Sequence, residues 1–142
     1  MRWVRQLPGL PKQKAMSYAY YNPNPRHRST GDCVIRALSK ALGQTWDEIY
    51  AGLSVEGFTL KDWGNADNVW GRYLRRHGFQ RHFIPDDGLG DYTVSDFAED
   101  NPCGTFVLSI PGHHVVTVVD GEYCDSWDSG RECPSYFWTK ER

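Results

Sequence analysis

The pattern of hydrophobic and polar positions changes its period near residue 101. Before that point, apolar residues recur every three or four positions, as Ile35 and Leu38 do, which is the spacing of helices with one buried face. Thr45 and Glu48 have the spacing of a capping box, which marks a helix start. The pattern predicts helices over residues 32–42, 45–53, 66–77 and 93–100.

After residue 101 the apolar residues are β-branched or aromatic and form short runs between turn formers, which favours strands. Asp120-Gly121 is the strongest hairpin signal, because both residue types suit a two-residue turn. The pattern predicts strands over residues 79–84, 104–110, 113–119, 123–127 and 136–139. Helices followed by strands indicate an α+β domain, with N-terminal helices packed on a C-terminal antiparallel β-sheet.

The first part of the chain has a different pattern. Four prolines within residues 1–28 interrupt every potential helix, and we interpret this segment as an irregular N-terminal arm. Residues 29–142 then form a single domain, since the chain has the length of one domain with its own core. Residues 85–90 are predicted to be a loop, because proline, aspartate and glycine dominate them.

Charge and hydropathy exclude several kinds of partner. The net charge of -2 lacks the basic excess typical of proteins that bind nucleic acids or anionic membranes. No apolar run approaches the roughly 20 residues that span a bilayer, and the N-terminus lacks the apolar core of a signal peptide. We therefore expect a cytoplasmic protein with neither a nucleic acid nor a membrane as its partner.

The four cysteines, Cys33, Cys103, Cys124 and Cys133, are widely spaced and include no CxxC pair. In a chain of this size, the spacing favours free thiols over a disulfide framework or a closed zinc site. We therefore expect no metal and no cofactor.

Cys33 has the sequence context of a reactive thiol. It follows Gly31-Asp32 and stands where the first predicted helix begins. Unpaired N–H groups and the helix dipole at such a position favour a thiolate, and the same amides can hold an oxyanion. A small buried hydrophobic residue is the alternative, and it is the commonest role of a free cysteine. We interpret Cys33 as a candidate nucleophile.

The predicted hairpin offers a base for this thiol and a group that orients the base. With a two-residue turn, Val119 pairs with Glu122, and counting back places His114 and Asp125 on the same face as diagonal neighbours. A histidine and a carboxylate in that relation are the partners that a cysteine nucleophile needs.

The same count leaves one alternative open. His113 and Asp128 have the opposite parity, which disfavours them as members of the set. A bulge near Ser126 would exchange the roles of Asp125 and Asp128. Asp125 is therefore preferred, and Asp128 stays a candidate.

With these residues in place, the chain resembles the papain-like cysteine peptidase superfamily. In that fold a cysteine begins the central helix, a histidine lies on a following antiparallel sheet, and an Asn or Asp lies on the next strand. Asp125-Ser126-Trp127 matches the Asn-Ser-Trp segment of the superfamily. The resemblance implies that Cys33 is the nucleophile, His114 the base and Asp125 its orienting partner, and that Trp127 shields their hydrogen bond from water.

A narrower resemblance covers roughly residues 22–139. The segments around Cys33, Trp46, His114 and Asp125 are similar to small uncharacterised proteins of bacteria and phages. Those proteins are themselves described as papain-like, or as similar to the peptidases that process bacteriocin leaders. This likeness implies the fold more than any substrate.

One position departs from the superfamily pattern. Papain-like enzymes commonly carry a glutamine six residues before the cysteine, and its side chain completes the oxyanion hole. His27 stands at that position in this chain. His27, Arg28, Asn22 or Asn24 would have to donate instead, or the oxyanion hole is weakened or absent.

Three functions fit these residues. The first is hydrolysis of a peptide or isopeptide bond in a peptide or protein substrate through a Cys-His-Asp triad. The second is acyl transfer by the same triad to an amine rather than to water. The third is a non-catalytic papain-like binding module, for example a phage-encoded inhibitor of a host factor. The missing glutamine favours the third function, whereas the complete triad argues against it.

Overall fold

The computed structural model describes residues 17–85 and 90–140. The helices are α1 (Cys33–Leu42), α2 (Trp46–Leu60), α3 (Asp67–Arg76) and α4 (Val94–Asp100). The strands are β1 (Tyr18–Tyr20), β2 (Phe79–Phe83), β3 (Thr105–Ile110), β4 (His114–Val119), β5 (Glu122–Asp125) and β6 (Tyr136–Lys140). The chain is an α+β protein, which confirms the predicted class.

Local signals set the helix ends. Thr45 accepts a hydrogen bond from the Glu48 N–H at 3.1 Å, and the Glu48 carboxylate accepts one from the Thr45 N–H at 3.0 Å. This confirms the predicted capping box, and Thr93 begins α4 with a second one. Asp32 is the N-cap residue of α1, but its side chain does not cap the helix. The Asp32 carboxylate therefore leaves the N-terminal amides of α1 uncapped.

Helix α2 is longer than the sequence pattern predicts. It ends at Leu60 rather than near Leu53, because Gly57 lies inside it and does not form a loop. A Cβ atom at Gly57 would lie 2.7 Å from the carbonyl oxygen of Asp62. The glycine therefore lets the chain after the helix fold back closely against it. The prediction failed because a glycine that serves close packing resembles one that ends a helix.

The strands form one six-stranded sheet with the order β1-β5-β4-β3-β6-β2. Strand β1 pairs with β5 in parallel, and the other pairs are antiparallel. The prediction of a purely antiparallel C-terminal sheet is therefore wrong, since β1 comes from the N-terminal part of the chain and runs parallel to β5. Strand β1 also lies within residues 1–28, which were predicted to be irregular; residues 1–16 of that arm lie outside the described residues.

The β4-β5 hairpin has the predicted register, with Val119 opposite Glu122. Asp120 and Gly121 both adopt positive φ, at 48° and 82°, as a two-residue turn of this kind requires. Strand β5 ends at Asp125, two residues before the predicted end, and the chain then bends. This short strand places Asp125 at the end of the ladder.

The two faces of the sheet carry separate hydrophobic cores. Helices α1, α2 and α3 pack on one face, where Leu38 and Trp70 are fully buried against Val107. Helix α4 packs on the other face through Phe97, which contacts Phe106 edge to face. Neighbouring residues of β3 alternate between the two cores, as expected for a strand. Helix α1 is thereby fixed across the sheet.

Two further expectations from the sequence, the loop at residues 85–90 and the absence of a membrane span, can be compared with the structure only over the described residues. The predicted loop at residues 85–90 includes residues 86–89, which lie outside the described part of the chain. Within residues 17–85 and 90–140, none of the helices has the length and apolar character that crossing a membrane requires.

Candidate active site

Cys33 is the first residue of α1 and is half-buried. Its S–H donates a hydrogen bond to the carbonyl oxygen of His113, with a sulfur-to-oxygen distance of 3.4 Å. The turn before β4 directs this carbonyl, since Gly112 and His113 adopt φ values of 92° and 67°. The side chain of His113 is exposed. His113 therefore contacts the thiol through its backbone and not through its ring.

His114 is the first residue of β4, and its Nε2 lies 2.7 Å from Oδ2 of Asp125. The other ring nitrogen, Nδ1, is therefore the one that can exchange a proton with the Cys33 sulfur. Asp128 has different partners, because its Oδ1 accepts from the Tyr123 hydroxyl at 2.5 Å and from the Gly130 N–H at 3.1 Å. The structure thus brings Asp125 to the histidine and places Asp128 elsewhere.

The environment of His114 favours its charged form. Burial lowers the pKa of the ring, but hydrogen bonds with Asp125 and Cys33, and their negative charges, outweigh burial and raise the pKa to about 9. The imidazole is therefore protonated at neutral pH. An imidazolium beside a cysteine stabilises the thiolate, which is the nucleophilic form.

Asp125 is completely buried, yet it stays ionised. Burial raises the pKa of its carboxyl, but hydrogen bonds from His114 and Ser129 and the charges of His114 and Arg36 hold the pKa below its usual value. The Ser129 hydroxyl donates to Oδ2 at 2.6 Å, and the Ser126 N–H donates to Oδ1 at 2.8 Å. Both carboxylate oxygens are thus fixed by donors.

Arg36 joins this carboxylate to a second one. Its guanidinium lies 2.8 Å from Asp32 and 3.1 Å from Asp125, and all three side chains are at most 5% exposed. Trp46 donates its Nε1–H to the other oxygen of Asp32 at 2.9 Å. We call Asp32, Arg36 and Asp125 the buried charge cluster. It connects the residue before the thiol with the residue that holds the histidine.

Sequence reasoning missed Arg36 and Ser129. The pattern gave Asp32 only a place at the helix terminus, whereas its carboxylate pairs with Arg36. The one available signal was the four-residue spacing of Asp32 and Arg36, which allows an ion pair along a helix. That spacing is common on exposed helix faces, so it does not by itself indicate burial.

Trp127 packs on the histidine. The ring centroids of Trp127 and His114 are 4.9 Å apart, with an angle of 38° between the planes. Trp127 itself remains exposed to solvent on its outer side. It covers one face of the imidazole, and this is the contact that a shielding residue would make.

The segment before α1 carries the possible oxyanion donors, which differ in burial and in hydrogen-bond partners. His27 is exposed, and its N–H completes a turn by donating to the Asn24 carbonyl at 2.9 Å. Asn24 is buried, and its Oδ1 accepts from the Arg26 N–H at 2.9 Å. No hydrogen bond of Asn24 Nδ2 is found within the described residues. The Asn22 side-chain amide already donates to the Arg28 carbonyl. Among the asparagines before α1, Asn24 is therefore the one whose side-chain amide keeps a donor without a partner in the described residues.

The other cysteines are free thiols. Cys103 and Cys133 are exposed, and Cys124 is buried, which raises the pKa of its thiol. In residues 17–85 and 90–140, no three His, Cys, Asp or Glu side chains are grouped to hold a metal ion.

Comparisons of the chain with protein-family models, with curated proteins and with solved structures gave no match. The chemistry of the site therefore rests on its own geometry.

Proposed function

We propose that this protein is a papain-like cysteine hydrolase that cleaves a peptide or isopeptide bond. The observation that carries the proposal is the His114–Asp125 contact of 2.7 Å beside a cysteine at the start of a helix. A nucleophile, a base and a group that orients the base are the parts that thiol catalysis needs. The four free thiols fit a reducing compartment such as the cytoplasm.

The reaction follows the positions of these groups. The Cys33 thiolate attacks the carbonyl carbon and forms a carbon–sulfur bond, and the carbonyl oxygen becomes an oxyanion. Collapse of this intermediate breaks the carbon–nitrogen bond, and His114 gives its Nδ1 proton to the leaving amine. A water molecule then attacks the thioester and loses a proton to His114. Collapse of this second intermediate breaks the carbon–sulfur bond, which releases the acid and restores the ion pair.

The Cys33 N–H and the Asn24 side chain are the donors that we propose for the oxyanion. The N–H of Cys33 lies at the N-terminus of α1, where no side chain acts as a cap. Losing one such donor typically lowers turnover by about 10²- to 10³-fold. We therefore expect Asn24→Ala to lower turnover by this factor and His27→Ala to leave it nearly unchanged. The reverse order would return the role to His27.

Alkylation by iodoacetamide near pH 7, followed by peptide mapping, tests the nucleophile. Cys33 should react faster than the exposed Cys103 and Cys133, although it is less accessible. His114→Ala should slow the reaction at Cys33 on the order of 10-fold, because the imidazolium that stabilises the thiolate is gone.

His113→Asn is the matched control for His114→Ala. The new residue tolerates a positive φ and keeps the backbone carbonyl, so alkylation of Cys33 should be unchanged. Equal alkylation rates at the three accessible thiols would contradict the proposal.

A peptide library analysed by mass spectrometry tests the reaction itself. New ends that carry the elements of water should form with the wild type and vanish with Cys33→Ser. If products form only with an added primary amine, the reaction is acyl transfer. If Cys33 is selectively alkylated but neither product forms, the binding-module function gains support.

A further inference from the structure

A groove of about 930 Å³ lies between the segment before α1 and helix α2. Residues within 24–32 form one side of its lining, and α2 with residues 62–65 forms the other. Cys33, His114 and Asp125 are not among the described residues that line it. What the groove binds must therefore be inferred from its own surface.

Three large aromatic side chains on the α2 side of the groove are exposed to solvent. Tyr50, Phe58 and Trp63 are 53%, 74% and 81% exposed, and all three line the groove. Tyr50 and Phe58 belong to the same face of α2, since positions i and i+8 of a helix point in similar directions. Monomeric proteins rarely expose a contiguous apolar patch unless it binds a partner. We call Tyr50, Phe58 and Trp63 the aromatic wall.

The backbone that carries Trp63 is held firmly, although its side chain is exposed. The Asp62 N–H donates to the Gly57 carbonyl at 2.9 Å, and the Trp63 N–H donates to the Asp62 side chain at 2.8 Å. The Trp63 carbonyl accepts from the Ala66 N–H at 3.0 Å. A partner that contacts Trp63 would not have to order this loop, which reduces the entropic cost of binding.

The groove also carries both signs of charge. Arg26 and Arg28 lie in the segment before α1, whereas Asp47 lies in α2 and Asp62 follows that helix. All four side chains are exposed, and within residues 17–85 and 90–140 none of them forms an ion pair. A nucleic acid needs a surplus of positive charge along its path, and these residues do not provide one. The groove fits a partner that presents both signs as well.

A second copy of the chain presents these charges in a complementary arrangement. Most homodimers have two-fold symmetry, so the same surface patch of both copies forms the interface. With the two-fold axis along the groove, the arginine side of each copy faces the aspartate side of the other. An axis across the groove would place like charges together, which is strongly unfavourable. The charges therefore favour a second copy in one particular orientation.

We propose that this face is the interface of a homodimer whose two-fold axis runs along the groove. Phe58 and Trp63 of each copy enter the groove of the other and act as the apolar anchors of the interface. The arginines of each copy pair with the aspartates of the other around these anchors. Association of this kind does not depend on the chemistry of Cys33, which does not line the groove.

Sedimentation velocity tests the role of the aromatic wall. The wild type should form a dimer in the micromolar range, and Phe58→Ala with Trp63→Ala should weaken the dimer about 30-fold or more, as the loss of an interface hot spot typically does. Both side chains are exposed, so circular dichroism should show an intact fold. Phe83→Ala is the matched control, because Phe83 is an exposed aromatic residue outside the groove and its removal should leave the dimer intact.

An exchange of charges tests the orientation of the two copies. Arg26→Glu with Arg28→Glu gives one variant, and Asp47→Arg gives the other; Asp62 is left unchanged because its carboxylate holds the Trp63 N–H. Each variant alone should dimerise on the order of 10-fold more weakly, since like charges then meet. In an equimolar mixture, each reversed charge meets an opposite charge on the other copy, so mixed dimers should form.

The results that would overturn the inference are distinct from a failure of the proposed function. They are a wild type that stays monomeric across the micromolar range, a dimer that survives the double alanine substitution, and a mixture that associates no better than either charge variant alone. A monomer that dimerises only after removal of residues 1–16 would assign the groove to that segment and also overturn the inference. Cys33→Ser should dimerise like the wild type, whether or not the protein is a hydrolase.

Discussion

Two ionic networks of this protein have similar nitrogen-to-oxygen distances, but their arginines differ in exposure to solvent. In the buried charge cluster, Arg36 binds Asp32 and Asp125, and all of these groups are shielded from water. On the helical layer, the 3% exposed Glu56 pairs with Arg72 at 3.3 Å and Arg76 at 3.0 Å, but these arginines are 44% and 65% exposed. Only one partner of the second network has left the solvent.

The difference teaches what each network does. An arginine that stays hydrated is still stabilised by water when its partner is removed. Such a pair therefore contributes little to the free energy of unfolding. A buried guanidinium has lost its hydration, so it needs a carboxylate partner. A buried charge without such a partner strongly destabilises the fold. The buried charge cluster lies beside Cys33. There the charge of Arg36 helps to keep Asp125 ionised, and Asp125 in turn keeps His114 protonated.

The largest effect that we expect is loss of stability in Arg36→Met. The substitution leaves the Asp32 and Asp125 carboxylates buried without their cation, and removing one partner of a buried pair typically costs about 3 to 5 kcal/mol. Urea unfolding followed by circular dichroism measures the change. A loss below about 1 kcal/mol would mean that the cluster behaves like a surface pair.

Arg36→Met combined with Asp32→Asn is the control for that change. It removes one negative charge together with the positive charge, so part of the lost stability should return. If the double variant is as unstable as the sum of the single variants, packing of the arginine stem and not charge explains the effect.

The second expectation concerns the titration of His114. Its imidazole signals in NMR should titrate near the raised pKa of about 9, and Asp125→Asn should bring the midpoint back toward the ordinary 6.5. Asp128→Asn is the matched control, because Asp128 is bound to Tyr123 and not to the histidine. A midpoint near 6.5 in the wild type would contradict the electrostatic description of the site.

The same pKa values fix the direction of the pH dependence of stability. The folded pKa of His114 lies above 6.5, so its ion pair contributes fully below pH 6.5 and is lost as the pH rises through about 9. The folded pKa of Asp125 is depressed below 3.8, so its contribution is present above that pH and is lost as the pH falls through the lower value. Unfolding measured between these limits should show a plateau in their combined contribution.

A smaller effect is expected for Glu56→Gln. The substitution removes the charge of the buried partner, but Arg72 and Arg76 stay hydrated, so the loss should be about 1 kcal/mol or less. Alkylation of Cys33 should not change, since Glu56 does not contact the site. A loss as large as that of Arg36→Met would erase the distinction between the two networks.

Salt gives the smallest and most selective test. Raising the ionic strength to about 1 M shortens the screening length to about 3 Å, which weakens exposed pairs more than buried ones. The difference in unfolding free energy between wild type and Glu56→Gln should therefore shrink, whereas that for Arg36→Met should persist. Equal salt dependence would indicate that water reaches the buried charge cluster.

The hairpin and its register could be predicted because they depend on local chemistry. Asp120-Gly121 determines the turn, and the turn determines which residues of β4 and β5 are opposite each other. That count was enough to pair His114 with Asp125. The capping box of Thr45 was equally readable, since both of its partners lie within one helical turn.

Features that depend on long-range packing could not be predicted. The burial of Arg36 follows from the position of α1 against the sheet. In the sequence, a buried arginine cannot be told from one on an exposed helix face. Gly57 looked like a helix end because the sequence does not show how closely the backbone at Asp62 approaches it. The pairing of β1 with β5 joins residues about a hundred positions apart, and no local pattern specifies such a partner.

The position of β6 in the sheet also determines when β2 can join the other strands during synthesis. Strand β2 is joined to the rest of the sheet through β6, which ends at Lys140 near the end of the chain. Because domains are built from the N-terminus during translation, the thiol of Cys33 emerges long before His114 and before the strand that closes the sheet. Strand β2 can therefore join the sheet only after β6 has been synthesised, although β2 itself leaves the ribosome much earlier.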